Sequence, residues 1–180
     1  QSSTHTGVFS ASGAGHVDLV EGVHTFDGAT MDQGSRISGA TVDVSTTANF
    51  NGSEFVNGTL RGAGTIQGSN LRFVGGGGRN LQGTLTNAGK ISIEAADISA
   101  VNSTLTNNGT IDINGTGIWR DGIVKNVGLI KKTNDAGTFQ MNYSWNGGPR
   151  GLDNTGTVRA EAGILQLRGP GTHTGTFESL

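Results

Sequence analysis

The feature that most constrains this chain is a short pattern, aliphatic-x-Asn-x-Gly-x-aliphatic, which occurs four times in its second half. The asparagines of successive copies are 20, 19 and 28 residues apart. A repeat of about 20 residues is the length of one coil in a solenoid protein. The chain is therefore expected to consist of stacked coils. The four copies are residues 85–91, 105–111, 124–130 and 152–158.

Alternating apolar residues indicate that the coils are made of strands. Ile91-Ser92-Ile93 and Ile111-Asp112-Ile113 each place two aliphatic residues two positions apart. A period of 2 directs both aliphatic side chains to one face of a strand and leaves the residue between them in solvent. The sequence therefore predicts an all-β solenoid of parallel strands, with coils of about 20 residues, one longer coil and aliphatic columns inside.

The composition agrees with many short strands joined by turns. Glycine is abundant, with 32 residues, while only 14% of residues are charged and 33% are hydrophobic. Only 2 prolines are present, and no Gly repeat of period three occurs, which excludes collagen. The low net charge of −2, together with aliphatic residues at regular places, argues against plain disorder.

Charge and cysteine content exclude several classes of protein. The few lysines and arginines are scattered, whereas a nucleic-acid surface needs them clustered, so no nucleic-acid partner is expected. The absence of cysteine excludes a disulfide framework and a Cys-ligated zinc site. No apolar run approaches the ~20 residues of a membrane span, so no membrane insertion by this segment is expected.

The recurring asparagines and glycines suggest a structural role at the corners of the coils. An inward asparagine can hydrogen-bond to its equivalents in the coils above and below, which would form a ladder. The alternative is that these asparagines only favour turns locally. The glycines are expected to supply the positive φ that a tight bend often needs. The ladder residues are Asn87, Asn107, Asn126 and Asn154.

The whole chain, residues 1–180, is interpreted as a single solenoid segment, with looser coils over residues 1–80 and regular ones over residues 81–180. Residues 4–9 and 172–177 share Thr-His-Thr-Gly-x-Phe. This match suggests one unit of a longer tandem array, in which His5 and His173 would occupy the same position. The missing initiator Met at Gln1 leads to the same expectation, a piece of something longer.

The stretch Gly163-Ile-Leu-Gln-Leu-Arg-Gly-Pro-Gly-Thr-His-Thr-Gly175 resembles the β-strand repeats of bacterial autotransporter passengers. The Asn-x-Gly copies are similar to those of filamentous-haemagglutinin-like adhesins. The resemblance implies a right-handed parallel β-helix that is secreted or attached to the bacterial cell surface as a stalk or adhesive surface. Its partners would be adjacent repeats of the same polypeptide, and surface glycans or host-cell surfaces. The motifs are structural and specify no binding residues.

The longer coil is the most irregular part of the chain and holds the candidate ligand site. Strict alternation over residues 139–145 places four large side chains on one face of an extra strand. Aromatic faces of this kind can stack on sugar rings, and charged neighbours can bond to hydroxyls. The alternative is that the aromatic side chains pack over the coil wall. The candidate residues for this carbohydrate-binding site are Trp119, Arg120, Asp121, Tyr143, Trp145 and Arg150.

No catalytic residue, metal ligand or cofactor is predicted. A polysaccharide lyase or hydrolase remains an alternative, because Asp112 and Asp121 could approach one another, and such chemistry needs paired carboxylates or a base with a cation. The outward series Ser92, Asp112, Lys131 and Arg159 is typical of a solvated face instead.

Two further features of the sequence leave alternatives. Thr-x-Thr pairs could order water and bind ice, although they are expected beside turns and not in one continuous row. Lys132 aligns with the inward Ile93 and Ile113, which predicts either a bulge or a side chain that turns out to solvent.

Overall fold

The computed structural model describes residues 1–75, 77–134, 137–144 and 147–180. Within these ranges the chain forms strands, turns and bends, and parallel pairing joins the strands. The described part of the chain contains no helix long and apolar enough to cross a membrane. The fold is therefore all-β, as the alternating pattern predicts.

The strands mostly span two to six residues, but four consecutive ones in the first half of the chain span 9 to 16 residues because they continue around corners of the coil. In chain order they are β1 (Ser2–His5), β2 (Val8–Phe9), β3 (Val17–Leu19), β4 (Val23–Phe26), β5 (Thr30–Asp32), β6 (Ser35–Val44), β7 (Thr47–Gly62), β8 (Thr65–Val74), β9 (Arg79–Asn87), β10 (Lys90–Glu94), β11 (Ile98–Ser99), β12 (Ser103–Asn107), β13 (Thr110–Ile113), β14 (Gly117–Arg120), β15 (Gly122–Asn126), β16 (Leu129–Lys132), β17 (Thr138–Tyr143), β18 (Arg150–Asn154), β19 (Thr157–Ala160), β20 (Ile164–Leu167) and β21 (Thr176–Ser179).

Each coil has three sides, and strands on the same side of successive coils pair in parallel. We call these sides sheet 1, which runs from β1 and β4 to β17 and β20, sheet 2, which runs from β2 and β5 to β15 and β18, and sheet 3, which runs from β3 to β19 and β21. The stack has about nine turns with coils of roughly 20 residues. The predicted parallel β-solenoid is thereby confirmed.

The core is a set of apolar columns that run through the stack. In sheet 3, Phe73, Ile93 and Ile113 lie over one another in strict register, and each is fully buried. In sheet 2, Leu105 and Val124 lie in a second column. Burial of aliphatic and aromatic side chains, worth about 1.5–3 kcal/mol each, is the main favourable term in such a fold.

Two outward residues in sheet 3 are more enclosed than the alternation predicts. Ser92 is 1% exposed and Asp112 is 5% exposed. Ser92 Oγ donates to Asn70 Oδ1, and Asp112 lies beneath Lys90 and Lys131. The expectation that both would lie in solvent is wrong, because neighbouring long side chains cover this side of the sheet.

Lys132 contradicts both interpretations of its position. Its strand pairs with Ile113 on one side and Ala160 on the other without a register shift, and the side chain is 0% exposed. The ammonium donates to the carbonyl oxygen of Asn134 at 3.0 Å. The lysine therefore stays in the inward column, and its charge is tolerated because it is hydrogen-bonded.

The glycines of the Asn-x-Gly copies do not have positive φ, so the expectation based on bend geometry is wrong. They are needed because the coils approach closely. A Cβ on Gly109 would overlap the carbonyl oxygen of Gly89, and the same relation links each glycine of the series to the one a coil before. The series, which we call the glycine column, comprises Gly89, Gly109, Gly128, Gly156 and Gly175.

The two Thr-His-Thr-Gly segments lie on different sides of the solenoid. His5 is in sheet 1, where it pairs with Phe26, whereas His173 forms a bridge with Asn154 in sheet 2. The expectation that His5 and His173 occupy the same position is wrong. The same short motif thus occurs on two different sides of the solenoid, in the first coil and near the end of the chain.

Candidate functional site

The longer coil differs from its neighbours in its connections and not in an extra strand. β17 is the ordinary sheet-1 strand of its coil, between β14 and β20. The additional residues lie before it, at 133–137, and after it, at 144–149. The prediction of an extra strand is therefore wrong. The candidate site has to be built from these connections and from the strand ends beside them.

Burial removes two residues from the candidate carbohydrate site. Trp119 is 1% exposed, because its register with Ile98 places it in the inward column of sheet 1. Asp121 is 0% exposed at a corner with φ of 55°. The prediction that these two side chains contact a sugar is wrong, since neither presents a surface to solvent.

Alternation also fails along β17. Phe139 and Met141 are fully buried, as inward residues should be, but Asn142 is buried as well and has φ of 61°. Its amide nitrogen donates to the carbonyl oxygens of Gly122 and Gly151, both at 2.9 Å. Asn142 thus holds the corner between sheets 1 and 2, and Tyr143 no longer follows the inward series.

Two of the remaining candidates, Arg120 and Tyr143, are partly exposed but already engaged. Arg120 forms an ion pair with Asp97 at 3.0 Å. The guanidinium carbon of Arg168 lies 5.3 Å from the ring centroid of Tyr143, so a cation occupies one face of that ring. Trp145 lies outside the described residues. Among the candidate residues that the structure describes, no two exposed aromatic faces therefore come together.

Arg150 lies beside a shallow cleft on sheet 2, of about 400 Å³. Asp153 and Thr172 form its polar wall, and Ile123 and Pro170 contribute apolar surface. The Asp153 carboxylate accepts a hydrogen bond from the backbone N–H of Thr172 at 2.9 Å. The cleft combines a cation, a carboxylate and apolar surface, which suits hydroxyl-rich ligands better than purely apolar ones.

The four asparagines form a continuous chain of hydrogen bonds through the interior. The amide nitrogen of Asn107 donates to Asn126 Oδ1 at 2.7 Å, and its own Oδ1 accepts from Asn87 at 2.7 Å. Asn126 continues the series by donating to Asn154 Oδ1, also at 2.7 Å. Each of the four is at most 1% exposed. The arrangement links successive coils at one corner and is not a site for a ligand.

Replacing Asn107 with alanine is expected to lower the free energy of unfolding by about 1–3 kcal/mol, because the buried Asn126 Oδ1 loses its donor and the Asn87 amide keeps only its longer bond to the carbonyl oxygen of Thr110. Thermal and urea unfolding of the variant measure the loss. The neighbouring Asn108 is exposed, so Asn108→Ala is the matched control and should differ from wild type by less than about 0.5 kcal/mol. Equal stability of the two variants would show that the ladder has no energetic role.

The outer face of sheet 3 carries a charged column in which acidic and basic side chains are mixed and one member, Ser92, is uncharged. Arg36 makes two hydrogen bonds to Asp18, at 2.8 and 2.7 Å, and Arg72 pairs with Glu54 at 2.9 Å. The hydrogen bond from Arg36 lowers the pKa of Asp18 below its ordinary value. The full series, which continues through every coil, is Asp18, Arg36, Glu54, Arg72, Ser92, Asp112, Lys131, Arg159 and Glu178.

This charged column is self-neutralised and offers no concentrated field for a charged ligand. Asp112, the carboxylate considered for catalysis, lies 3.0 Å from the Lys90 ammonium and accepts a hydrogen bond from Thr133 at 2.7 Å. Asp112 belongs to sheet 3, whereas Asp121 lies at the corner between sheets 1 and 2. The structure therefore does not bring these two carboxylates together on one side of the coil.

One group of side chains was missed by the sequence analysis. His5 and His24 meet at the first two coils, with Nε2 of His5 3.0 Å from Nδ1 of His24. Their separation of 19 residues, one coil, was the available signal. The Thr-His-Thr-Gly match hid this signal, because it aligns His5 with His173.

Comparison of the chain with known proteins found no relative. No family model, no curated protein and no solved structure matches this chain.

Proposed function

We propose that this chain is a non-enzymatic structural segment, a spacer or adhesive surface, of a larger secreted or surface-attached bacterial repeat protein. The observation that supports it most is that polar side chains on successive coils bond mainly to one another along the solenoid axis. The asparagine ladder does this inside, and the charged column of sheet 3 does it outside. Residues used in this way stiffen a rod and leave little chemistry for a substrate.

A rigid spacer should keep its length under load. At about 4.8 Å per coil, the stack spans roughly 40 Å from first to last coil. Because the chain has no cysteine, Ser2→Cys and Ser179→Cys provide unique attachment points for optical tweezers. We expect constant extension until cooperative rips occur. Gradual lengthening at low force, as for a flexible linker, would contradict the spacer role.

The cleft beside Arg150 supports a second candidate, contact with surface glycans. A glycan array probed with labelled protein should then give signals that Arg150→Ala reduces and that Arg61→Ala, a partly exposed arginine on sheet 1, leaves unchanged. Absence of binding would contradict glycan contact, and the spacer role would then be the one that remains. Release of unsaturated products from acidic polysaccharides, followed by absorbance, would overturn the non-enzymatic proposal.

A further inference from the structure

Three polar side-chain atoms converge at the first two coils of sheet 1. Ser3 lies directly over His24 in the strand register, and His5 follows two residues later on the same strand. Ser3 Oγ is 2.8 Å from His5 Nε2 and 3.2 Å from His24 Nδ1, and the two ring nitrogens are 3.0 Å apart. The three atoms form a small triangle with nearly equal edges.

The hydrogen bonding of His24 fixes which of its nitrogens carries the proton. Nε2 lies 3.0 Å from the carbonyl oxygen of Glu21, which can only accept, so Nε2 donates. In the neutral ring, Nδ1 then presents its lone pair to His5 and Ser3. Metal-ligating histidines generally hold their second nitrogen in this way, through an N–H bond to a carbonyl or carboxylate.

Two phenylalanine rings hold the imidazole of His5 in one orientation. Its centroid lies 4.9 Å from Phe9 and 5.9 Å from Phe26, both in edge-to-face geometry. The ring nitrogen that faces His24 is therefore held in place by packing around the rest of the ring.

The triangle is close to the size of one face of a coordination tetrahedron. For metal–nitrogen distances of 2.0–2.1 Å, two tetrahedral ligand atoms lie about 3.4 Å apart. The pair of ring nitrogens would need to separate by only about 0.4 Å to admit an ion. A cleft of about 440 Å³, lined by Ser3, Glu21 and His24, gives access from solvent.

We infer that His5 and His24, with the Ser3 hydroxyl, bind one divalent transition-metal ion of the Zn²⁺ type. Imidazole nitrogen favours zinc, copper and nickel over calcium or magnesium. No three His, Cys, Asp or Glu side chains converge among the residues that the structure describes. Water therefore has to complete the coordination, and affinity is modest compared with a four-ligand structural zinc site.

The test is calorimetric titration of the untagged chain with Zn²⁺ at about pH 7.5, above the ordinary histidine pKa of ~6.5. We expect one ion per chain, and His5→Gln or His24→Gln should each weaken binding at least tenfold. The other two histidines provide matched controls, so His16→Gln and His173→Gln should bind as wild type does. Ca²⁺ should give no saturable heat.

Two further measurements keep the inference testable if a histidine variant unfolds. Ser3→Ala retains both imidazoles and should weaken Zn²⁺ binding only a few-fold. In the unmodified chain, Zn²⁺ should shift the imidazole NMR signals of His5 and His24 and leave those of His16 and His173 in place. Absence of saturable binding, or equal losses in the His16→Gln control, would overturn the site and leave the proposed spacer role untouched.

Discussion

Replacing Gly109 with alanine is expected to lower the free energy of unfolding by about 3 kcal/mol or more, which makes it one of the most damaging single changes in the chain. A Cβ there would lie closer than 3.0 Å to the carbonyl oxygen of Gly89. That oxygen accepts the backbone N–H of Thr110 at 2.9 Å. Relieving the overlap requires the two coils to separate, which lengthens hydrogen bonds on both sides of the corner.

The control for this prediction is Gly78→Ala. A Cβ at Gly78 would meet nothing within 4 Å, and its φ is not positive. The change should therefore alter stability by less than about 0.5 kcal/mol. Urea unfolding of both variants measures the difference. Similar values for Gly109→Ala and Gly78→Ala would mean that close approach of the coils is not what selects glycine at this column.

Replacing Arg79 with leucine is expected to cost about 3–5 kcal/mol, because it leaves several backbone carbonyl oxygens without their donor at about 1–3 kcal/mol for each one that stays buried and unsatisfied. Arg79 is 0% exposed, and its guanidinium donates to the carbonyl oxygens of Phe55 at 3.1 Å and Gly77 at 2.6 Å. Further bonds reach Val74, Gly75 and Asp97. One side chain thus satisfies the carbonyl groups of the glycine-rich connection before β9 and of the next coil.

Arg79→Lys and Arg61→Leu distinguish the origin of this effect. Lysine keeps the charge but cannot reach several carbonyl groups with a planar fork, so it should recover only part of the lost stability. Arg61 pairs with Asp43 at 3.1 Å and its side chain is 42% exposed, so its replacement by leucine should cost at most about 1 kcal/mol. Equal losses for Arg79→Leu and Arg61→Leu, measured by thermal unfolding, would refute the network.

The period and strand type were predictable because they follow from local pattern. The alternation at Ile111 and Ile113 predicts a strand, and the spacing between Asn87 and Asn107 predicts the length of a coil. Both signals arise because every coil must satisfy the same geometry. The same local patterns correctly predicted columns of similar side chains on successive coils.

The features that the sequence did not predict depend on which residues lie close together in the folded chain. The burial of Trp119 follows from its register with Ile98, and the glycine column follows from the distance between coils. The positive φ of Asn142 interrupts the alternation of inward and outward side chains that the sequence predicts for this strand. The pair His5 and His24 was hidden because corners on different sides share Thr, His and Gly. Such features require the register of every coil, which short motifs do not supply.

The most direct test of the stacked coils is disulfide trapping in this cysteine-free chain. Thr86 and Thr106 are register partners on adjacent strands, which lie about 4.8 Å apart, within the Cα range of a disulfide. Under mild oxidation, Thr86→Cys/Thr106→Cys should cross-link rapidly. Thr86→Cys/Asp112→Cys, which joins sheet 2 to sheet 3, should not. No cross-link in the first pair, or equal cross-linking in both, would contradict the fold described above.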